Sequence, residues 1–155
     1  MQIVLVHPEI PQNTGSIGRM CVCTGTRLHL IEPLGFSLDE SRVKRAGMDY
    51  WKHVDLHVHA DWDAFLAANP KARMIFASTK GTKPYFAHKF EADDCIVFGK
   101  ESAGFPPDFY SLYAEQLITI PMNGQFVRSH NLATSAAIVL YEGIRQLQFP
   151  HFNPV

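Results

Sequence analysis

Six short apolar runs punctuate the chain, at Ile3 to Val6, Leu28 to Ile31, Val54 to Val58, Met74 to Ala77, Cys95 to Phe98 and Leu117 to Ile120. Most are continuous rather than alternating, the pattern of strands buried on both faces of a parallel sheet. Segments of helical period lie between them. Asn13 to Thr24 sets Ile17, Met20 and Cys21 on one side, with Asn13 as the predicted cap. Asp39 to Ala46 predicts a short basic helix, and Asp61 to Ala68 groups Trp62, Phe65 and Leu66 behind an Asp cap. The longest helical segment, Ser129 to Gln146, carries a stripe of Leu132, Ala136, Val139 and Leu140. This alternation predicts an α/β domain, a mostly parallel sheet flanked by helices in three layers. Without a repeat, linker or low-complexity tract, one domain is expected to fill residues 1–155, with a short Pro-containing tail after Phe149.

Composition narrows the function class. The 155 residues are 46% hydrophobic and 19% charged, which suits a globular core. The formal net charge of −1, from 14 basic and 15 acidic residues, gives no overall cationic field. Nucleic-acid binding would therefore have to come from a local patch. Three cysteines, with Cys21 and Cys23 only one residue apart, argue against a disulfide framework. No apolar stretch is long enough to span a bilayer, and Met1 to His7 lacks a basic leader. A soluble cytoplasmic domain without a membrane partner is expected.

Neither G-x-G-x-x-G after the first strand nor G-x-x-x-x-G-K-[ST] is present, which excludes the common dinucleotide and P-loop sites. Three other clusters each follow a strand. Pro8-Glu9-Ile10-Pro11-Gln12-Asn13-Thr14-Gly15 is a stiffened loop leading to Arg19 on the first helix. Gly99-Lys100-Glu101-Ser102-Ala103-Gly104 brackets a carboxylate with two glycines, as suits a backbone that approaches a ligand closely, or a plain loop needing positive φ twice. Ile120-Pro121-Met122-Asn123-Gly124 runs on to Ser129-His130-Asn131-Leu132 at the start of the long helix, where Ser129 reads either as a binding residue or as a simple cap. Loops at the C-terminal ends of strands are where open α/β sheets bind ligands.

Taken together, the three clusters resemble the three motifs of the SPOUT superfamily of knotted RNA methyltransferases. Within it, Pro8 to Gly15, Ile31-Glu-Pro-Leu-Gly35 and Arg45-Ala-Gly-Met-Asp-Tyr50 resemble the TrmL (YibK) group. That resemblance implies a deep C-terminal trefoil knot, which hydrophobic pattern alone does not predict. It further implies S-adenosyl-L-methionine as methyl donor, held by Ala77, Gly99, Gly104, Ile120, Met122, Ser129 and Leu132. The acceptor it implies is the ribose 2′-oxygen of the wobble nucleotide, cytidine or uridine 34, in leucine tRNAs. Asn13 and Arg19 match the positions that serve the hydroxyl and its neighbouring phosphate. Ser129 and Asn131 are candidates to complete the reaction site, and Glu101 is expected to hold the second loop or contact the nucleotide. A homodimer with Tyr141 near its interface is expected. Arg19, Arg42, Lys44, Arg45 and Lys80, with Arg27 and Lys83 nearby, would form a phosphate track on an otherwise neutral chain, the alternative being a solvated charged face. Rival readings are the same chemistry at another tRNA or rRNA site, a non-catalytic RNA-binding module, and a small-molecule methyltransferase. His57 and His59 on a predicted edge strand could pair toward a metal, but solvent-facing histidines are the favoured reading and no metal is expected. His130 departs from the apolar residue common at its place, and Ala133-Thr134 from Ser-Asn.

Overall fold

The computed structural model describes residues 1–38, 49–124 and 129–148. The basic helix expected at 39–46, with Arg42, Lys44 and Arg45, and the tail after Phe149 lie outside these residues. Seven strands form one sheet: β1 (Gln2–Val6), β2 (Arg27–Ile31), β3 (Leu56–His59), β4 (Met74–Ala77), β5 (Lys83–Pro84), β6 (Cys95–Phe98) and β7 (Leu117–Thr119). Their spatial order is β3-β2-β1-β6-β4-β7-β5, and the paired strands run parallel. Among the described residues four α-helices accompany them: α1 (Pro11–Thr24), α2 (Trp62–Ala68), α3 (Phe109–Leu112) and α4 (Leu132–Gln146).

The period-2 geometry of the strands explains the layering. Ile3 and Leu5 of β1 point to one face, where they meet Ile17 and Cys21 of α1 and Ala136, Val139 and Leu140 of α4. Val4 and Val6 point to the other face, against Phe65 of α2 and Phe105 and Phe109 at and before α3. Val4, Val97 and Phe76, on three neighbouring strands, are completely buried, which is why these segments read as unbroken apolar runs. An aromatic stack fills the second face: the rings of Phe76 and Tyr113 lie parallel at 4.2 Å, and Trp62 donates its indole N–H to the Tyr113 hydroxyl at 2.9 Å.

Helix boundaries depart from the sequence reading at two informative places. Asn13 does not cap α1. The helix starts two residues earlier, with Pro11 in its first turn and Ile10 at the cap without a side-chain bond. Proline suits that position because its missing N–H would have no partner there. Nor does Ser129 cap the long helix: Asn131 does, accepting from the Ala133 and Thr134 amides. Asp61 caps α2 as expected, accepting from the Ala64 amide at 2.7 Å. The two-residue edge strand β5 and the single-turn α3 lie beyond the predicted set.

Both buried thiols, Cys21 and Cys95, are pushed up by desolvation, to about 12 and about 11, and no cysteine is bonded to another. Among the described residues no helix is long and apolar enough to cross a membrane.

Candidate functional site

The C-terminal ends of β4, β6 and β7 open into one cleft of about 490 Å³. Its walls come from the segments after β1, β4, β6 and β7, so segments far apart in sequence meet at one edge of the sheet. This is the position that parallel strand polarity reserves for ligands.

The three motif loops are tied to each other by side chains. The Glu101 carboxylate, on the loop after β6, accepts from the backbone amides of Glu9 (2.8 Å) and Ile10 (3.3 Å) and from the Asn13 side-chain amide (2.9 Å). It thereby places an anion at the N-terminus of α1, where the helix dipole favours it. The tie is reciprocal. Glu9 reaches back to accept from the Ser102 amide at 3.0 Å, and its carboxylate lies 3.6 Å from the Lys100 ammonium. Hydrogen bonding from Ser102, ahead of the pull of Lys100, holds the Glu9 carboxyl below the usual carboxylate range. The third loop joins through Asn131, whose amide donates to Asn13 Oδ1 at 2.8 Å while its own Oδ1 caps α4. A continuous polar chain therefore runs from Glu101 through Asn13 and Asn131 to the amides of α4.

Glycine makes the floor of the cleft. Lys100 and Gly104 exchange backbone bonds of 3.1 and 2.9 Å in a tight turn, with Gly104 at φ 73°. A Cβ on Gly99 would lie 2.3 Å from the Gly104 carbonyl carbon. Only one of the two glycines, Gly104, is in the left-handed region. Gly99 is there for the close approach of the turn that follows it.

All seven residues expected to hold a cofactor, Ala77, Gly99, Gly104, Ile120, Met122, Ser129 and Leu132, line this cleft. Asn13, Glu101, Ser129 and Asn131 of the expected reaction set line it too. Arg19 does not. It is exposed on α1, with its guanidinium 5.9 Å from the Tyr50 ring centre. Six helical positions separate it from Asn13, which amounts to about 9 Å along the axis and about 120° around it. Lys80 lines the cleft, as do Lys100, Tyr110 and His130. Tyr110 carried no motif signal, because it reaches the site from α3, which the sequence reading did not contain. Arg27 stands at the start of β2, at the opposite end of the strands, paired with Asp55 at 2.8 Å. Tyr141 is 46% exposed on α4.

The edge-strand histidines are not simply solvent-facing. His59 Nε2 lies 2.9 Å from Nδ1 of the buried His29, whose Nε2 lies 2.7 Å from Gln2 Oε1, while His57 meets Asp55. Among the described residues, no group of three or more His, Cys, Asp or Glu side chains could hold a metal ion.

A parallel three-layer sheet with a loop-built cleft at its C-terminal edge defines a ligand-binding α/β protein, and comparison with known proteins makes the class specific. The model of the SpoU rRNA Methylase family matches residues 1–141, and the chain belongs to that family of methyltransferases. A tRNA (cytidine(34)-2′-O)-methyltransferase of Aeromonas hydrophila is 47% identical over 150 residues, covering 96% of each chain. A structure solved in a study of the 2-OH methylation of C/U34 on tRNA superposes with a TM-score of 0.87, at 42% identity and with 96% of each chain covered. The AdoMet-bound rRNA methyltransferase of Sinorhizobium meliloti shares the fold, with a TM-score of 0.80 at 23% identity over 94% of this chain and 56% of that one.

Proposed function

We propose that this protein transfers a methyl group from S-adenosyl-L-methionine to the ribose 2′-oxygen of nucleotide 34, the wobble nucleotide, of tRNA, with leucine tRNAs as substrates. The observation that carries the reading is the chain of bonds from Glu101 through Asn13 to Asn131, which closes the three motif loops around one cleft in a SpoU-family fold. The relatives that share this fold at more than 40% identity over nearly the whole chain, and are named for methylation at position 34, support the choice of substrate.

The lining fits such a donor. A cleft of about 490 Å³ lies within the range of small-molecule sites. Backbone groups at Ile120, Met122 and Leu132 are available to read the edge of an adenine, and Gly99 and Gly104 keep side chains off the floor. When bound, the donor supplies an electrophilic methyl group on sulfur. The residues of this chain have to orient the ribose hydroxyl in line with that methyl and help its proton leave. Both Glu101 oxygens are occupied by three N–H donors, so Glu101 serves as a loop tie rather than as the base. Arg19, always protonated, suits the neutralisation of a phosphate beside the hydroxyl. Its place outside the cleft of its own chain favours a homodimer in which α1 of one copy faces the cleft of the other, with Tyr141 at the interface. Arg42, Lys44 and Arg45 complete the RNA track in this reading. A single domain spanning 1–155, with its C-terminal part threaded as a trefoil knot, is the arrangement that goes with it.

The test is to incubate the purified protein with labelled donor and tRNA from cells lacking the gene, and then to map ribose methylation. Labelling confined to position 34 is the expected result. Transfer to another tRNA or rRNA position, or none at all, overturns the reading.

A further inference from the structure

We infer that Lys80, seated on the ring of Tyr110, is the subsite in the cleft that takes the carboxylate at the amino-acid end of the methyl donor. The inference rests on the donor reading above and adds a residue and a ligand atom to it. Its starting point is the charge inventory of the cleft. Glu101 is consumed by three N–H donors, and Lys100 is paired with Glu9. Among the described residues Lys80 has no carboxylate within ion-pair distance, yet its ammonium is not loose: it lies 3.9 Å from the centre of the Tyr110 ring.

Both halves of this seat are fixed by other parts of the fold. The stem of Lys80 leaves a turn pinned to β7. Ser78 donates its amide to the Ile118 carbonyl at 2.9 Å, the Lys80 amide bonds Ser78 Oγ at 3.2 Å, and Gly81 donates back to the Ser78 carbonyl. Gly81 packs so closely that a Cβ there would lie 2.6 Å from the Ile118 carbonyl. The ring is held from the other side, because the Tyr110 hydroxyl accepts from the Phe105 amide at 3.3 Å, beside Gly104. An ammonium resting on an aromatic face is attracted by the ring quadrupole and keeps its N–H groups for a further partner. Lys80 is exposed, but the ring tethers its ammonium at the wall of the cleft, within reach of a ligand bound there.

The donor carries a sulfonium as well as a carboxylate. A fixed ammonium repels the sulfonium and the donor's own α-ammonium and attracts the carboxylate, so it selects the orientation in which the carboxylate, and not the reacting sulfur, lies nearest Lys80. A charge-assisted hydrogen bond is stronger than a neutral one, and here the cation is positioned before the ligand arrives.

The test compares S-adenosylhomocysteine with 5′-methylthioadenosine, which keeps the nucleoside and thioether but lacks the amino-acid tail, by calorimetry on the full chain. Lys80→Met is expected to weaken S-adenosylhomocysteine at least about tenfold and to leave methylthioadenosine within about twofold. Lys80→Arg should recover most of the loss, and Tyr110→Leu should cost S-adenosylhomocysteine a smaller factor than Lys80→Met. Equal weakening of both ligands by Lys80→Met would reveal a merely structural role and overturn the inference. Unchanged S-adenosylhomocysteine affinity, including a loss seen only in tRNA binding, also overturns it. If the unaltered protein takes up neither ligand, it is the donor reading itself that fails.

Discussion

The side-chain amide of Asn131 donates to Oδ1 of Asn13 at 2.8 Å, across 118 positions of sequence. Each asparagine uses both of its ends. Asn13 passes its own amide to Glu101, and Asn131 gives its oxygen to the first turn of α4. The start of α1, the glycine turn after β6 and the start of α4 therefore share one hydrogen-bond network, and none of these three segments can shift without breaking a bond held by another. Networks of this kind rigidify when fully satisfied.

Asn131→Asp separates the two duties of that residue. The carboxylate still caps α4, and its charge suits a helix N-terminus, so thermal stability should stay close to that of the unaltered protein. What the substitution removes is the donor to Asn13, leaving two oxygens facing each other. Donor-ligand affinity should fall about tenfold, the scale of one part-buried hydrogen bond turned repulsive. Asn131→Ala should lose the cap as well, at about 1 kcal/mol of stability. Calorimetry and thermal melts on both variants check this, and unchanged affinity in Asn131→Asp would show that the network does not shape the cleft.

Gly99→Ala tests the floor. The added Cβ would sit 2.3 Å from the Gly104 carbonyl carbon, which is backbone and cannot swing away as a side chain could. The turn must move, at a cost of about 1–3 kcal/mol typical of overpacking. Ligand binding should be lost at temperatures where the variant is still folded, and circular dichroism alongside calorimetry separates the two effects.

The sheet was legible because burial on both faces writes continuous apolar runs: Met74–Ala77 and Cys95–Phe98 have the bounds read from sequence, and the remaining predicted strands differ by one or two residues. Lys83–Pro84 left no such trace, being a two-residue pairing at the sheet edge. The capping error at Asn13 has a physical cause. Asn13 looks like a cap by local chemistry, but it is recruited by Glu101 and Asn131, partners that local sequence cannot supply. Tyr110 was missed for the same reason, since its part in the cleft depends on a helix of four residues held in place by the aromatic core.

Stability should fall as the medium is acidified below neutrality. His29 is buried beside His59 and His57, and desolvation first, then the neighbouring imidazoles, depress its pKa to about 3. His59 is lowered in the same way, by desolvation and then by His57. Arg27 adds to the depression and Asp55 opposes it. In the unfolded chain His29 takes up its proton near pH 6.5, whereas in the folded chain it stays neutral down to about pH 3. Above pH 6.5 both states are neutral and nothing is lost. Between pH 6.5 and 3 the unfolded state binds more protons, so the folded state weakens with every step down. At pH 5 the loss from His29 alone is on the order of 2 kcal/mol, from about 1.4 kcal/mol per pH unit. His29→Leu, of similar bulk and without a titrating group, should flatten the melting temperature between pH 7 and 5. An unaltered slope would assign the acid sensitivity to other groups.

Arg19→Ala should abolish methyl transfer while leaving donor affinity unchanged, because Arg19 is absent from the lining of its own cleft. In the dimer proposed above, a second copy brings Arg19 to the reacting ribose. Two inactive variants should then complement each other. Arg19→Ala mixed with Asn131→Ala, after dissociation and reassembly, yields some dimers in which one cleft has its own Asn131 and faces an intact Arg19. With random pairing under two-fold symmetry, roughly a quarter of all clefts are complete, and transfer should return to about that share of the unaltered rate. If the mixture stays as inactive as its components while forming mixed dimers, Arg19 acts within its own chain, and α1 must then move relative to the cleft when RNA binds.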